Sequence, residues 1–244
     1  MNTVRLDIEY DGSEFRGWAA QPGLRTVQGE LEAALETVLR EEVQLTVAGR
    51  TDTGVHALGQ VASFEAEVGV PADLARRLSG ICPDDLAVTE AAVVADGFDA
   101  RRDARSRSYR YRVLARGSPS PFEQGRALWW PHRLDRDVLA ACAAALVGTH
   151  DFTAFTPTQT DHVRFERDVL AASWTAEGEI LALQITADAF MRNMVRVLVG
   201  TMLEVASARR SLDNFTQLLM GAPRSSAGDT APPHGLYLES VSYA

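Results

Sequence analysis

The segment from Gly49 to Gly59 reads GRTDTGVHALG and places Arg50, Asp52 and His56 among glycines. Glycines permit backbone conformations that other residues resist, and charged residues on a rigid loop after a strand form many active sites. A carboxylate in such a loop can act as a nucleophile or as a base. The alternative is an Asx-type turn, in which Asp52 only accepts hydrogen bonds from backbone amides.

A second group of charged residues lies in the apolar stretch 189–206, which predicts a buried helix. Arg192 and Arg196 are four residues apart and would share one face of that helix. A buried guanidinium stays charged and is costly without an anion beside it. The acids of this stretch stand only at its ends, so we expect the partner from elsewhere in the fold. Asp52 is a candidate; a phosphate, or an ion pair with a purely structural role, are the alternatives.

Two tyrosines alternate with arginines in the strand predicted over 106–115: Tyr109 and Tyr111 on one face, Arg110 and Arg112 on the other. This pattern suits stacking on nucleic-acid bases combined with contacts to the sugar–phosphate backbone. It equally suits a half-buried strand with one solvated face. The pattern alone leaves both interpretations open.

The net charge of −9 argues against a nucleic-acid partner, but binding depends on local charge. All basic residues are arginines. Between Arg101 and Arg116, seven of them stand against the single acid Asp103, a net of +6 in sixteen residues. This basic stripe, which includes Arg105 and Arg110, could follow phosphates. It could also be a solvated strand face whose partners lie elsewhere in the fold.

The 244 residues, 46% hydrophobic and 23% charged, are ordinary for a soluble globular protein. No apolar run approaches the roughly 18 residues that a membrane span needs. The N-terminus alternates like a strand and lacks the apolar stretch of a signal peptide, so we expect a cytoplasmic protein. Cys82, Cys142 and five scattered histidines show no metal-type spacing, and we expect neither a disulfide nor a bound metal.

The first half predicts the order β-α-β-β-α-β, the split ferredoxin-like arrangement. Alternation predicts a strand over 3–10, and Thr26 can cap the helix that follows. Pro71 is expected to start the second helix, as proline often does at a first helical position. The remaining strands are predicted over 43–48, 60–66 and 86–95.

The second half repeats this order. Strands are predicted over 106–115, 167–175, 179–187 and 236–242, with AEG as the turn between the middle pair, and helices over 135–147, 189–206 and 211–220. We therefore expect an α/β (α+β) protein of two such halves, 1–103 and 104–244. Their mainly antiparallel sheets are expected to join, with an active-site cleft between them. Such four-stranded units are a common RNA-binding scaffold.

The segment AGRTDTGVHALGQV, residues 48–61, closely resembles the signature loop of the tRNA pseudouridine synthase A family. Matching segments follow in the same order through nearly the whole chain. They are EYDGSEFRGW (9–18), RTVQGELEAAL (25–35), FDARRDARSRSYRYRV (98–113), DFTAF (151–155), FMRNMVRVLVGTMLEV (190–205) and GLYL (235–238).

The resemblance implies a two-half α/β fold, a homodimer, and no cofactor or metal. It implies isomerisation of uridine to pseudouridine in the anticodon arm of tRNA, at about positions 38 to 40, on a base that must leave its stack. Asp52 matches the catalytic aspartate and Arg196 the arginine paired with it. Tyr109 matches the tyrosine that stacks on the target base, and Arg50 the arginine that helps to extrude it. Arg105, Arg110 and Arg192 are our candidates for contacts with the RNA backbone.

The chain departs from the family pattern at three places. Thr53 replaces a common alanine, and Asp99 stands where histidine is frequent. Residues 157–168 replace an Arg-Thr-Pro-type segment, and Arg167 is expected to keep part of its role. These departures bear on local RNA contacts. His56 matches the family loop, and we interpret it as structural because the chemistry needs no second titrating group there.

Two other functions compete with the synthase. One is a catalytically silent tRNA-binding or chaperone module, which retention of both Asp52 and Arg196 argues against. The other is a carboxylate-dependent hydrolase of a glycosidic bond. That chemistry usually needs two catalytic carboxylates, and only Asp52 stands out.

Overall fold

The structure, a computed structural model, describes residues 2–67, 69–160 and 163–243. The chain forms two compact units, Met1–Arg105 with Tyr237–Ala244, and Ser106–Leu236. In chain order the elements are β1 (Asn2–Tyr10), α1 (Val27–Leu39), β2 (Thr46–Val47), β3 (His56–Ala66), α2 (Leu74–Ser79), β4 (Leu86–Val93), β5 (Ser106–Leu114), β6 (Leu128–Trp129), α3 (Arg136–Leu146), β7 (Gly148–Asp151), β8 (Glu166–Glu177), β9 (Ile180–Ala187), α4 (Met194–Ala206), α5 (Leu212–Leu218) and β10 (Leu236–Ser242).

The first unit contains the strands β4, β1, β3 and β10 in that spatial order. The neighbours are antiparallel except β10 and β3, which run parallel with Tyr237 beside His56. Alternation along β1 buries Val4, Leu6 and Ile8, as a period of two requires for a strand with one face on a core. Helix α1 begins where the Thr26 hydroxyl accepts a hydrogen bond from the Gly29 amide, which confirms the predicted cap.

The second unit contains the antiparallel strands β5, β9, β8 and β7 in that spatial order. Its core includes three aromatic rings, Phe152, Phe155 and Phe215, stacked edge to face with successive centroid distances of 6.0 and 6.1 Å. Helix α4 is buried over most of its circumference, as its apolar sequence predicts. The mixed α/β class with a mainly antiparallel sheet is therefore confirmed.

Several element boundaries differ from the sequence-based predictions. The strand expected over 43–48 is only Thr46–Val47, while β3 begins at His56, inside the glycine-rich loop. Helix α2 starts at Leu74 and not at Pro71, because the Leu74 amide donates to the Pro71 carbonyl in a turn that precedes the helix. The turn between β8 and β9 centres on Gly178 (φ +63°) and not on the whole of AEG. Strands β6 and β7 are too short to give an alternation signal.

The most consequential difference lies at the start of α4. The helix begins at Met194 and not at residue 189, because Asn193 adopts a left-handed backbone conformation with φ 62°. Asparagine tolerates that conformation better than most residues. Over 189–193 the backbone is therefore not helical, and only Met191 is buried. Over residues 2–67, 69–160 and 163–243, no helix is long and apolar enough to cross a membrane.

Candidate active site

Asp52 lies half-buried on the loop between β2 and β3, and its neighbour Thr51 fixes the loop. The Thr51 hydroxyl is 2.7 Å from the Tyr10 hydroxyl, and the Trp18 amide donates to the Thr51 carbonyl over 3.0 Å. On the other side, the Val55 amide donates to the Asp52 carbonyl over 3.1 Å. The main chain on both sides of Asp52 is therefore held in place.

Glycines let another stretch of backbone support this loop. A Cβ on Gly17 would lie 2.9 Å from the Thr51 carbonyl oxygen, and one on Gly12 would lie 2.0 Å from that of Val55. Gly17 also has φ +88°, a conformation that side chains disfavour. At the loop's start, Gln60 Nε2 donates to the Gly49 carbonyl over 2.8 Å. The loop is thus supported by close backbone contacts at Gly12 and Gly17 and by the side chain of Gln60.

His56 is 3% exposed and belongs to the support of the loop. Its Nδ1 accepts a hydrogen bond from the Gly12 amide over 3.1 Å, and its ring stacks on Tyr237 with centroids 4.6 Å apart. Nδ1 is also 3.1 Å from an Asp11 carboxylate oxygen. These contacts support a structural role for His56.

Arg50, by contrast, is exposed. Among the described residues it takes part in no ion pair. A long cationic side chain on a fixed loop can reach a polyanion without first leaving a partner.

In the second unit, Arg196 lies in the first turn of α4 and is half-buried, not fully buried as expected. Its Nε donates to the Ala231 carbonyl over 2.7 Å, and its Nη1 donates to Asn193 Oδ1 over 2.9 Å. The Ala231 amide in turn donates to the Arg196 carbonyl over 3.1 Å. Two of the guanidinium nitrogens are therefore oriented by groups of the same unit.

Residues 227–235, which we name the strap, run along α4 and carry Ala231. The strap approaches so closely at Gly200 that a Cβ there would lie 1.9 Å from the Asp229 carbonyl oxygen. The Gly228 amide donates to the Thr201 hydroxyl over 3.0 Å. Small or hydroxylated residues on α4 thus allow the strap to hold the arginine.

The two tyrosines of β5 differ in role. Tyr111 is fully buried, donates to the Pro232 carbonyl over 2.8 Å, and packs on Gly235, where a Cβ would lie 2.8 Å from the ring. Burial raises the pKa of Tyr111 above its ordinary value. Tyr109 instead packs edge to face on Phe190, with centroids 4.9 Å apart. Both tyrosines are buried, with exposed fractions of 0% for Tyr111 and 8% for Tyr109. The hydrogen bond of Tyr111 ties it to the core, and Tyr109 remains our candidate for contact with a base.

The expectation that Arg192 and Arg196 share one helical face is wrong. Arg192 precedes the helix and is exposed, because the left-handed Asn193 separates it from α4. Arg192 Nη2 lies 3.5 Å from the Gln159 carbonyl oxygen, and the Arg192 carbonyl accepts a hydrogen bond from the Thr156 hydroxyl over 3.4 Å.

The basic stripe is partly neutralised by acids from other segments. Arg112 pairs with Glu123 at 2.9 Å, and Arg116 with Glu179 at 2.6 Å. Arg102 pairs with its neighbour Asp103 at 3.1 Å, an acid that the net of +6 already includes. The local net charge of +6 therefore overstates the field, because the folded chain brings in acids that the window 101–116 does not contain.

Arg105 is the exposed member of the stripe without an ion pair among the described residues. Arg110 is half-buried on β5. Arg105 differs in this respect from Arg112 and Arg116, and the sequence does not reveal the difference.

The predicted site residues are distributed over both units. Asp52, Arg50 and Arg105 belong to the first, and Tyr109, Arg110, Arg192 and Arg196 to the second. Sequence reasoning missed the residues that fix them: Tyr10, Thr51, Asn193 and Ala231. Tyr10 is the last residue of a clearly alternating strand, so its burial could be predicted from the sequence. A backbone carbonyl such as that of Ala231 leaves no trace in a sequence.

Comparison with known proteins identifies the family. A sequence profile described as tRNA pseudouridine synthase matches residues 8–101 and 142–244. Proteins named tRNA pseudouridine synthase A are similar over most or all of their length. That of Bacillus subtilis is 39% identical over 98% of both chains, and that of Acetivibrio thermocellus 38% over 100% of both. That of Streptomyces griseus is 43% identical over 98% of this chain and 87% of its own. This chain belongs to the tRNA pseudouridine synthase family.

Proposed function

We propose that this chain converts uridine to pseudouridine in the anticodon arm of tRNA, at about positions 38 to 40, on a base flipped from its stack, with Asp52 as the catalytic carboxylate. Family membership makes it an isomerase that acts on tRNA uridine. The observation that carries the residue assignment is the fixed turn at Asp52, held through Thr51 on one side and Val55 on the other. A catalytic group needs such positioning, since small displacements reduce rates strongly.

The reaction breaks the bond between C1′ and N1, turns the uracil, and forms a bond between C1′ and C5. The proton on C5 then leaves, so the site needs a base, and Asp52 and Tyr109 are the candidates. The carboxylate attacks uracil C6, attacks C1′, or promotes a glycal intermediate. All three routes begin with an ionised carboxylate.

Arg196 is proposed as the cation that keeps Asp52 ionised. An opposite charge nearby favours the charged form of a carboxyl group. Support comes from the orientation of its guanidinium by Ala231 and Asn193, which leaves little freedom for the side chain to choose another direction. The ion pair itself is our proposal, drawn from the chemistry and from the family resemblance.

Extrusion of the target base falls to Arg50 and Tyr109. A base stacked in an RNA helix cannot be reached, so the nucleotide must be flipped out. Arg50 is exposed on the same fixed loop as Asp52, and Tyr109 is held against Phe190. A cation that enters the stack and an aromatic wall that receives the base meet this need.

Arg105, Arg110 and Arg192 are proposed to contact the RNA backbone. We also propose, from the resemblance, that two copies form a homodimer and that the protein works in the cytoplasm. Light scattering on the purified protein tests the dimer, which a mass of one chain would rule out.

Release of tritium from [5-³H]uridine-labelled tRNA tests the function directly. Wild type should release it, and Asp52→Asn should release none while binding tRNA with nearly unchanged affinity. Asp96→Asn, an exposed aspartate of the first unit, is the matched control and should keep full activity.

Each competing function predicts another result. Binding without release from wild type would identify a silent tRNA-binding module, and free uracil among the products would identify a hydrolase. Full activity in Asp52→Asn would remove the catalytic assignment.

A further inference from the structure

Arg167, near the start of β8, is a buried cation for which the described residues offer no carboxylate partner. Its exposed fraction is 9%. Its Nη1 donates to the carbonyls of Arg164 and Glu166, over 2.8 and 2.6 Å, and its Nε is buried without a hydrogen bond in the described part of the chain. No acid among the described residues lies within 4.0 Å of the guanidinium. A buried guanidinium that lacks an anion is costly.

The groups around Arg167 do not supply that anion. Asp188 is the opposing charge nearby, but its carboxylate oxygen Oδ1 accepts hydrogen bonds from the amides of Asp168 and Ala189, over 3.0 and 2.7 Å. Arg164 adds a second positive charge. Burial lowers the pKa of Arg167 more than Asp188 raises it. The described residues therefore leave the Arg167 guanidinium without a carboxylate in ion-pair contact.

The strand register places Arg167 at the same end of the second unit's sheet as Tyr109, the candidate for contact with the base. Arg107 on β5 pairs with Ala187 on β9, and Ala187 pairs with Val169 on β8. Arg167 is two residues beyond Val169 toward that end of the sheet, and Tyr109 is two residues from Arg107.

The backbone leaves the sheet at this end through residues 188–193. That segment carries Phe190 against Tyr109, and Thr156 donates to the Arg192 carbonyl. Arg167, Tyr109 and the start of α4 thus belong to one end of the same unit.

We propose that Arg167 binds a phosphodiester of the substrate RNA beside the flipped nucleotide. The guanidinium supplies a charge-assisted hydrogen bond to a phosphate oxygen, for which its planar donors are well suited. The phosphate replaces the carboxylate that the described part of the chain does not provide. This proposal rests on the proposed function, because it presumes an RNA substrate.

The salt dependence of tRNA affinity tests it. Each phosphate contact contributes about 0.7 to 0.9 to the slope of log K against log salt concentration. Arg167→Gln should reduce the slope by about that amount and weaken binding at low salt roughly tenfold, as loss of a hydrogen bond to a charged group does. Arg167→Lys keeps the charge and should restore most of the slope.

Arg136→Gln is the matched control. Arg136 is an exposed arginine of the same unit, at the start of α3. It should leave the slope and the affinity unchanged. A lower melting temperature of Arg167→Gln with an unchanged slope would show that Arg167 only clamps the carbonyls of Arg164 and Glu166, and would overturn the proposal.

Two further outcomes are separable. If inorganic phosphate raises the melting temperature of wild type but not of Arg167→Gln, relative to chloride at equal ionic strength, while the tRNA slope is unchanged, the site binds free phosphate and our proposal is wrong. If wild type releases no tritium yet the slope falls in Arg167→Gln, the proposed function fails and the phosphate contact stands. If wild type releases tritium and the slope is unchanged in Arg167→Gln, the proposed function stands and the phosphate contact is overturned.

Discussion

The Tyr10 hydroxyl lies 2.7 Å from the Thr51 hydroxyl oxygen and ties the end of β1 to the residue before Asp52. Both side chains are buried, and Gln60 Nε2 lies 3.3 Å from the Tyr10 oxygen. Gln60 also holds the loop's first carbonyl, at Gly49. A small network of buried polar side chains therefore holds the main chain of the loop that carries Asp52.

Tyr10→Phe should lower kcat roughly ten- to hundredfold with little change in KM, because a displaced carboxylate loses rate more than binding. Thr51→Val should do the same. Since both remove one hydrogen bond, the double variant should be no worse than the more impaired single variant. Steady-state tritium release measures all three. Wild-type kcat in Tyr10→Phe would show that the network does not position Asp52.

Gly200→Ala should impair catalysis indirectly, by displacing the strap that packs on α4. Its Cβ would lie 1.9 Å from the Asp229 carbonyl oxygen, so the strap must move, and with it the Ala231 carbonyl that orients Arg196. We expect a fall in kcat together with a destabilisation of about 1 to 3 kcal/mol, as overpacking typically costs. Gly117→Ala is the control, since a Cβ there meets no atom within 4 Å. Equal kcat for both variants would separate the strap from catalysis.

Members of the basic stripe should differ in their contribution to tRNA binding. Arg105→Gln should weaken binding and reduce the salt slope by about 0.7 to 0.9, the value for one phosphate. Arg116→Gln should have a smaller effect on both quantities, because Glu179 already pairs with Arg116 at 2.6 Å. Filter binding over a series of salt concentrations measures both. Equal losses for the two variants would show that the internal ion pairs open on binding.

Stability should fall with rising pH in the alkaline range. Burial raises the pKa of Cys82 and Cys142 from 9.0 to about 11, and that of Tyr10 from 10.0 to about 12. The unfolded chain releases these protons at lower pH than the folded protein, so ionisation favours unfolding. The contribution of these groups to the stability of the folded state is complete below pH 9. It is lost between pH 9 and 11 for the thiols and between pH 10 and 12 for Tyr10, and the free energy of unfolding changes by about 1.4 kcal/mol per pH unit and group at most.

Urea denaturation at successive pH values checks this. Tyr10→Phe should flatten the decline above pH 10 specifically, and Cys142→Ala the decline between pH 9 and 11. A free energy of unfolding that stays constant from pH 9 to 12 would contradict the burial of these groups.

Local patterns predicted much of the fold. The alternation of β1, the Thr26 cap of α1 and the period of apolar residues in α4 depend on neighbours in the sequence, so each could be read directly. The boundaries failed where a single backbone conformation decided them. Asn193, with φ 62°, makes the helix begin at Met194, so Arg192 lies outside the helix and does not share a face with Arg196.

The sequence by itself determined which groups could do chemistry, because Asp52, Arg50 and Arg196 are marked by their types, their spacing and their resemblance to a family. It did not determine what holds them. The Tyr10–Thr51 contact joins residues 41 apart, and the Ala231 carbonyl reaches Arg196 across 35 residues. Within the described residues, Arg167 has no ion pair whereas Arg112 and Arg116 each have one, and the difference depends on which distant segments fold beside them. Such contacts depend on tertiary packing, since charge and hydrogen bonding act through space and not along the chain.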